Sequence, residues 1–348
     1  MPPEFQTHSL ELPPAAAGLR LDQALAAALP QYSRARLQRW IREGAVRLGG
    51  RPVRARDRVA GGEQIVVEAR FAADERVGAE ALPLDIVHQD RELLVLNKPA
   101  GLVVHPGAGN REHTLQNALL AHDAALARVP RAGLVHRLDK ETSGLLIVAR
   151  TPEVHTRLVA QLAAREIGRE YLALVVGQPT GGARIDEPIG RHRSLRTRMA
   201  VRSDGREAIT NFRIEERFRV HTLLRVQLET GRTHQIRVHL AHVGLPLVGD
   251  PAYGGRQGRV GGEADELNAL LHAFQRQALH AQRLTLTHPR SRRQISFEAP
   301  LPADFEALLA ALRADSKAAR GGARGSAGSK ASSAAGAPRR RRGKARSR

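Results

Sequence analysis

The chain has 348 residues, with 55 Lys and Arg against 35 Asp and Glu, a formal net charge of +20 at pH 7. It contains no cysteine, which excludes disulfides, thiolate metal sites, iron–sulfur ligation and cysteine nucleophiles. No apolar run approaches the roughly 20 residues of a membrane helix, and the first residues lack the pattern of a secretory signal. We therefore expect a cytoplasmic protein, without membrane attachment, that has an anionic partner.

A small module is predicted over 18–70, after a Pro- and Ala-rich lead at 1–17. Apolar residues at helical spacing predict a helix over 21–29 and a second helix over 33–44. The sequence VRLGGRPV at 46–53 is typical of a tight hairpin, and a further strand follows it. The polar side of the second helix carries Arg34, Arg36, Arg39 and Arg42.

This order of helix, arginine-rich helix, glycine turn, hairpin and strand resembles the S4 RNA-binding domain. Its markers here are RLD at 20–22, SR at 33–34, GAV at 44–46 and GGE at 61–63. Arginines on one short helix can contact phosphates spaced along a folded RNA, whereas a solvated charged face is the alternative. The residues expected to bind RNA are Arg34, Arg36 and Arg39.

After an acidic, small-residue linker at 71–84, a second domain is predicted over 85–315, without internal repeats. Its strands are predicted at 85–87, 93–96, 102–104, 145–149, 171–176, 208–214, 223–228, 278–287 and 294–297. Its helices are predicted at 114–122, 151–162, 234–242 and 303–312. Because many strands follow one another without a helix between them, we predict an α+β fold. Helices and loops are expected to flank a mixed, largely antiparallel sheet.

The last 33 residues, 316–348, contain 11 Lys and Arg and no acidic residue. The remainder is mostly Ala, Gly and Ser, which bury too little apolar surface to fold, so we predict a disordered basic tail. Its four arginines at 339–342 fit a tether to a polyanion, a nuclear address or a solubility device. Residues 1–315 keep 44 basic against 35 acidic residues, the charge balance expected for a nucleic-acid partner.

Nine mostly polar residues, HRLDKETSG at 136–144, separate two apolar strand segments, which is more than a turn requires. Within them Asp139 lies two residues from Arg137 and next to Lys140, and neighbouring cations favour an ionised carboxylate. Such a carboxylate acts as a base or a nucleophile rather than as an acid. From the spacing alone, a surface cluster of mutually paired charges is an equal alternative.

The longer stretch RAGLVHRLDKETSGL at 131–145 resembles the signature of the RluA-type pseudouridine synthases. Further matching segments are NKPAGLVVHP at 97–106, REYLALV at 169–175, ETGRTHQIRVH at 229–239 and GDPAYG at 249–254. The resemblance covers about 85–312, with the S4-like module before it, and the basic tail lies outside the pattern.

This resemblance implies an enzyme that flips specific uridines out of large-subunit ribosomal RNA, free or in a pre-ribosomal particle, and converts them to pseudouridine. The reaction breaks the N1–C1′ glycosidic bond and joins C5 to C1′. Because the product is an isomer of the substrate, no redox partner, metal or nucleotide cofactor is required, and we expect none.

By the same correspondence, Asp139 is the catalytic carboxylate, which either attacks C1′ or removes the C2′ proton, and the sequence leaves both routes open. The resemblance implies that Arg237 pairs with Asp139 and that Tyr171 lies against the uracil. Arg137 is implied to fill the space that the flipped uridine leaves in the RNA. Pattern alone also allows a core role for Tyr171 and a phosphate contact for Arg237.

Two other functions remain open at this point. A glycoside hydrolase needs a second carboxylate near Asp139, and Glu141 and Asp250 are only loosely placed for that role. A non-catalytic RNA-binding factor of ribosome assembly would use the S4-like region equally well, but the combination of Asp139, Tyr171 and Arg237 argues against it. We expect a monomer.

A metal site is not predicted, although three histidines fall near one face of a predicted helix. No HExxH motif and no suitably placed acid accompany them. These histidines are His234, His239 and His242.

Overall fold

The computed structural model describes residues 4–29, 32, 34–71, 77–107, 110–254, 261 and 264–329. The elements of the N-terminal domain are β1 (Glu4–Glu11), α1 (Leu21–Ala28), α2 (Arg34–Arg42), β2 (Val46–Leu48), β3 (Arg51–Pro52) and β4 (Gln64–Phe71). Its four strands form an antiparallel sheet in the order β1-β4-β2-β3. The fully buried side chains of its core include Leu21, Leu25, Leu37, Trp40 and Ile65.

The first strand differs from the sequence prediction, which treated 1–17 as a lead outside the module. β1 pairs with β4 along its whole length, from Glu4 opposite Phe71 to Glu11 opposite Gln64. Since its partner lies more than 50 residues further along the chain, local propensity gave no sign of this pairing. The N-terminal domain therefore begins before the predicted boundary at residue 18.

The second domain contains, among the described residues, one large sheet of nine strands. Its strands are β5 (Ile86–Gln89), β6 (Leu93–Lys98), β7 (Ser143–Ala149), β8 (Gly168–Val176), β9 (Ala183–Asp186), β12 (Ile209–Arg217), β13 (His221–Leu228), β14 (Leu279–Thr287) and β15 (Gln294–Glu298). A separate hairpin is formed by β10 (Ile189–Arg191) and β11 (Met199–Val201). The helices are α3 (Leu115–His122), α4 (Pro152–Ala163), α5 (Gln235–His242), α6 (Asp265–Ala273) and α7 (Ala303–Ser329).

The large sheet follows the order β5-β6-β7-β14-β8-β13-β12-β9, with β15 also paired to β14. β7 and β14 pair in parallel, and the neighbouring ladders are antiparallel. Apolar residues of α3 and α5 cover one face of this sheet, and those of α4, α6 and α7 cover the other. This arrangement confirms the predicted α+β fold with a mixed, largely antiparallel sheet.

The contact between β7 and β14 requires a glycine. Gly144 has φ +109°, and a Cβ atom at this position would collide with the backbone of Ala281. Ser143 and Gly144 pair there with His280 and Ala281. This close approach places the polar loop before β7 beside a strand that lies about 140 residues further along the chain.

Several elements were missed or misplaced. The strands β9, β10 and β11 and the helix α6 were not predicted, and the strand predicted at 102–104 is an irregular segment with one bridge from Val103 to Thr114. The strands β9, β10 and β11 are only three or four residues long, so their sequences show little alternation of apolar and polar residues.

The last helix is longer than the sequence suggested. Disorder was predicted from Ser316, but α7 continues to Ser329, so the prediction is wrong over 316–329. Lys317, Ala318, Ala319 and Arg320 are strong helix formers, and they extend a helix that the core residues of its first turns have already started, whereas the four glycines at 321–328 are poor helix formers. The remaining part of the predicted tail, 330–348, lies outside the described residues.

Candidate active site

A buried lysine, Lys98, holds the polar loop at 136–142 in place. Lys98, only 1 % exposed, donates hydrogen bonds from Nζ to the carbonyl oxygens of Pro99, Leu102 and Lys140 at 2.6, 3.0 and 2.9 Å. Three acceptors satisfy all three hydrogens of an ammonium group. Burial lowers the pKa of Lys98 to about 7, against the opposing influence of Glu141 and Asp139. The lysine thereby fixes the backbone next to Asp139.

Two residues at the ends of the loop complete its attachment. The ring Nε2 of His136 accepts a hydrogen bond from the backbone N–H of Ile147 on β7 at 3.3 Å. The N–H of Thr142 donates to the carbonyl oxygen of Asp139 at 3.0 Å, and the Thr142 hydroxyl accepts from Gln277 at 3.1 Å. The loop is therefore a fixed support for the Asp139 side chain.

Asp139 and Arg237 meet as the resemblance implied. Arg237 Nη1 donates to Asp139 Oδ2 at 3.0 Å across a separation of 98 residues. Arg237 lies on α5, and its guanidinium is also bonded twice to Asp250, from Nε at 2.7 Å and from Nη2 at 2.9 Å. One guanidinium thus bonds to two carboxylates. Its two bonds to Asp250 fix the direction in which Nη1 faces Asp139.

Asp250 is the buried end of this arrangement, with no exposure of its side chain. Its Oδ1 also accepts from the backbone N–H groups of Ala252 and Tyr253 at 2.8 and 3.0 Å. Burial acts to raise the pKa of Asp250, but the bonds from Arg237 and from these backbone groups bring it below the ordinary value. Burial likewise acts to lower the pKa of Arg237, and the two aspartates raise it, so Arg237 stays charged.

Tyr171 lies in the apolar wall of the same site. It is 5 % exposed on β8, opposite Val226 of β13 and Ala281 of β14. Burial raises the pKa of Tyr171, Arg169 acts to lower it, and Asp139 is close enough to raise it further. The side chain is therefore a protonated phenol at neutral pH.

The second oxygen of Asp139 faces a histidine that sequence reasoning had examined only as a metal ligand. His234 Nε2 lies 3.9 Å from Asp139 Oδ1, and His234 Nδ1 lies 2.8 Å from the hydroxyl of Tyr253. His239, which was considered together with it, bonds instead to the hydroxyl of Thr210 and to the carbonyl oxygen of Glu187, both at 2.9 Å. The two rings therefore have different protein partners.

The other site residues predicted from the sequence lie apart from this cluster or at its edge. Arg137 is exposed on the loop of Asp139. In the N-terminal domain, Arg34 donates to the buried carboxylate of Asp22 from Nε and Nη2 at 2.9 and 2.7 Å. Arg39 pairs with Glu43 at 2.7 Å, and the guanidinium of Arg36 lies 6.0 Å from the ring centre of Trp40.

A basic hairpin beside the site was missed by the sequence analysis. β10, β11 and the turn between them form this basic hairpin (189–201), and the N–H of Met199 donates to the Tyr253 hydroxyl at 2.8 Å. Its turn is exposed and carries Arg193 and Arg196. The dense run of arginines in RHRSLRTR at 191–198 was the signal that could have revealed it.

Comparison with known proteins identifies the chain. Residues 92–242 match the family model described as RNA pseudouridylate synthase, and residues 19–65 match the S4 domain. A protein of Xanthomonas campestris pv. campestris named ribosomal large subunit pseudouridine synthase D is 52 % identical over 305 residues, which cover 88 % of this chain and 92 % of that protein. This chain belongs to the RNA pseudouridylate synthase family.

Further relatives of this pseudouridine synthase agree. The protein of the same name from Escherichia coli (strain K12) is 50 % identical over 299 residues, covering 86 % of this chain and 92 % of that protein. Among solved structures, human RNA pseudouridylate synthase domain containing 4 has a TM-score of 0.53 and 25 % identity, covering 66 % of this chain and 93 % of that one. Human RNA pseudouridylate synthase domain containing 1 has a TM-score of 0.50 and 27 % identity, covering 63 % and 84 %.

Family membership decides between the functions that the sequence left open. The protein is an RNA pseudouridine synthase with an N-terminal S4 domain, rather than a glycoside hydrolase or an RNA-binding factor without activity. Within the part of the chain that the structure describes, no helix is both long and apolar enough to cross a membrane.

Proposed function

We propose that this chain converts specific uridines of large-subunit ribosomal RNA to pseudouridine, with Asp139 as the catalytic carboxylate. The observation that carries this assignment is the bond from the buried guanidinium of Arg237 to Asp139 Oδ2, within a family of RNA pseudouridine synthases. Relatives about 50 % identical over most of their length are named ribosomal large subunit pseudouridine synthase D, which supports the ribosomal target.

The geometry supports a carboxylate that acts through one oxygen. Arg237 occupies Oδ2 of Asp139, so Oδ1 is the oxygen available to attack C1′ or to remove the C2′ proton. In the first route Oδ1 bonds to C1′ as the N1–C1′ bond breaks, and this ester bond breaks when C5 of the turned uracil bonds to C1′. In the second route the carboxylate takes the C2′ proton as the N1–C1′ bond breaks, and it returns that proton to C2′ when C5 bonds to C1′. C5 then loses its proton and N1 gains one, so the product is an isomer and no external reactant is consumed.

The surrounding residues fit the handling of a flipped base. Tyr171 offers an aromatic ring and a protonated hydroxyl close enough to Asp139 to feel its charge, which suits contact with the uracil. Arg137 is exposed on the same loop, where a long cationic side chain can enter the space left in the RNA. Two positively charged segments, α2 of the S4 domain and the basic hairpin, can contact the phosphates of the RNA. We propose that the protein acts as a cytoplasmic monomer without membrane attachment.

The arginines of α2 have different expected contributions to RNA binding. Replacing Arg36 and Arg39 together by Ala should weaken RNA binding and flatten its dependence on salt by about 0.9 log units for each phosphate that the variant no longer neutralises. Arg34→Ala should in addition destabilise the domain, because it removes two hydrogen bonds to Oδ2 of the buried Asp22 carboxylate. Fluorescence anisotropy with a ribosomal RNA fragment at several salt concentrations measures the slope. An unchanged slope in the double variant would contradict the assignment.

The target is tested by mapping pseudouridines in cells. Carbodiimide treatment marks pseudouridine in RNA, and reverse transcription stops at each marked position. We expect particular stops in large-subunit RNA to disappear when the gene for this protein is deleted and to return when it is restored. Restoration with an Asp139→Asn gene should leave them absent. Identical patterns with and without the protein would show that large-subunit RNA is not its substrate.

A further inference from the structure

The Asp139 carboxylate has one oxygen held by Arg237 and one that faces His234. His234 Nε2 lies 3.9 Å from Asp139 Oδ1. His234 precedes α5 in the left-handed region, with φ +57° and ψ 21°. Residues other than glycine adopt this conformation only uncommonly, and such strain is typically concentrated at functional sites. The backbone is thus held in a costly conformation at the residue that faces the catalytic carboxylate.

Tyr253 is placed to fix which nitrogen of His234 carries the hydrogen. The Tyr253 hydroxyl oxygen accepts from the backbone N–H of Met199 at 2.8 Å, and its own hydrogen can be donated to His234 Nδ1, also at 2.8 Å. A neutral imidazole that accepts at Nδ1 must carry its hydrogen on Nε2. This tautomer places the Nε2–H group on the side of Asp139.

We propose that His234 is a positioning residue for Asp139, with its tautomer fixed by Tyr253 and its Nε2–H directed at one lone pair of Oδ1, which leaves the other lone pair for the sugar. The inference rests on the proposed catalytic role of Asp139. Arg237 and His234 then orient the two carboxylate oxygens from opposite sides. The 3.9 Å separation is longer than a hydrogen bond, and hydrogen bonds in active sites often shorten when the substrate is bound.

Burial and the neighbouring arginines keep the ring of His234 neutral. Burial lowers the pKa of His234, and Arg237 and Arg137 act in the same direction, whereas Asp139 and Asp250 act to raise it. The balance lies below the ordinary value, so the ring is uncharged at neutral pH. A neutral donor orients Asp139 without adding a second full positive charge, which would reduce the reactivity of the carboxylate.

Three substitutions separate this role from a structural one. His234→Asn suits the left-handed backbone, because Asn tolerates that conformation, but its shorter side chain cannot reach Asp139. His234→Gln restores both an acceptor for Tyr253 and a donor for Asp139, and it does not titrate. Tyr253→Phe removes the hydroxyl but keeps the ring, whose centre lies 5.0 Å from the guanidinium carbon of Arg237.

The variants are compared by release of tritium from RNA labelled at C5 of uridine. The RNA is large-subunit RNA from cells that lack the protein. We expect His234→Asn to lower kcat about tenfold with little change in KM, as for the loss of one hydrogen bond to a charged group. His234→Gln should recover most of this loss and give a flat pH profile.

Tyr253→Phe should lower kcat between about pH 6 and about pH 8, but by less than His234→Asn does. Without the hydroxyl, the tautomer of His234 is no longer fixed, so only part of the population carries its hydrogen on Nε2 and donates to Asp139. Burial, Arg237 and Arg137 still hold the pKa of His234 below its ordinary value in this variant, so the loss should depend little on pH over this range.

Defined results would overturn the proposal. It is wrong if His234→Asn and Tyr253→Phe both match the wild type across this pH range. Equal losses in the Asn and Gln variants, or a change in KM alone, would also overturn it, because they indicate a structural or an RNA-contact role. The Asp139→Asn variant in the same assay tests the proposed function separately. If that variant is active, the catalytic assignment fails and this inference fails with it.

Discussion

Asp139→Asn is expected to abolish pseudouridine formation, with kcat reduced at least about a thousandfold. An amide can neither attack C1′ nor take up the C2′ proton, so both possible routes lose their reactive group. In the wild type Arg237 bonds to Asp139 Oδ2 at 3.0 Å. The asparagine side chain has the same shape, and its one oxygen can still accept this bond. RNA affinity should therefore stay within a few-fold of wild type. Tritium release and fluorescence anisotropy measure the two effects separately.

The control for this variant is Asp123→Asn. Asp123 also bonds an arginine, accepting from Arg150 Nη2 at 2.8 Å, but it belongs to the segment after α3 rather than to the active site. Its substitution should leave kcat close to wild type. If Asp139→Asn kept substantial activity, or if both variants lost it equally, Asp139 would not be the catalytic carboxylate.

Asp250→Ala should lower both stability and activity. It leaves Arg237 buried with two of its three bonds to carboxylates removed, and it frees the backbone N–H groups of Ala252 and Tyr253. Removal of one partner from a buried ion pair typically destabilises a protein by about 3–5 kcal/mol. Because Arg237 then loses its fixed direction, kcat should fall by about a hundredfold or more.

The two domains offer an internal control for this measurement. The single tryptophan of the chain, Trp40, belongs to the N-terminal core, so its fluorescence reports unfolding of that domain. Circular dichroism additionally follows the catalytic domain. The loss of stability in Asp250→Ala should appear in the unfolding transition followed by circular dichroism. The transition followed by Trp40 fluorescence should not change. Glu298→Ala removes the carboxylate that pairs with Arg283; the two side chains are 59 % and 42 % exposed, so this substitution should cost far less. Equal losses in the two variants would contradict the argument.

Features of the site and the fold could be predicted from the sequence where they depend on residues that lie close together in the chain. The loop of Asp139 could be predicted because a long polar insertion between two apolar strands is unusual, and the resemblance then supplied Arg237 and Tyr171. The fold class followed from strands that succeed one another without intervening helices. Both are properties that a short window of sequence can carry.

The sequence was insufficient where function depends on contacts between distant residues. Asp250 was considered only as a loosely placed acid, and its bond to Arg237 depends on a turn that follows α5. The role of His234 depends on a left-handed backbone and on a hydroxyl 19 residues away. Lys98 was noted only as part of the segment at 97–106, and its bonds to three carbonyl oxygens could not be predicted from that segment. Periodicity and composition report none of these contacts.

The parallel junction of β7 with β14 has a consequence for biosynthesis. Residues 143–144, directly after the loop of Asp139, settle against residues 280–281, so the loop acquires its final support only after most of the polypeptide has been translated. The N-terminal domain can fold much earlier, because its strands end at Phe71. A nascent or prematurely terminated chain should thus be able to hold RNA while being unable to modify it, which delays the onset of chemistry until synthesis is nearly finished.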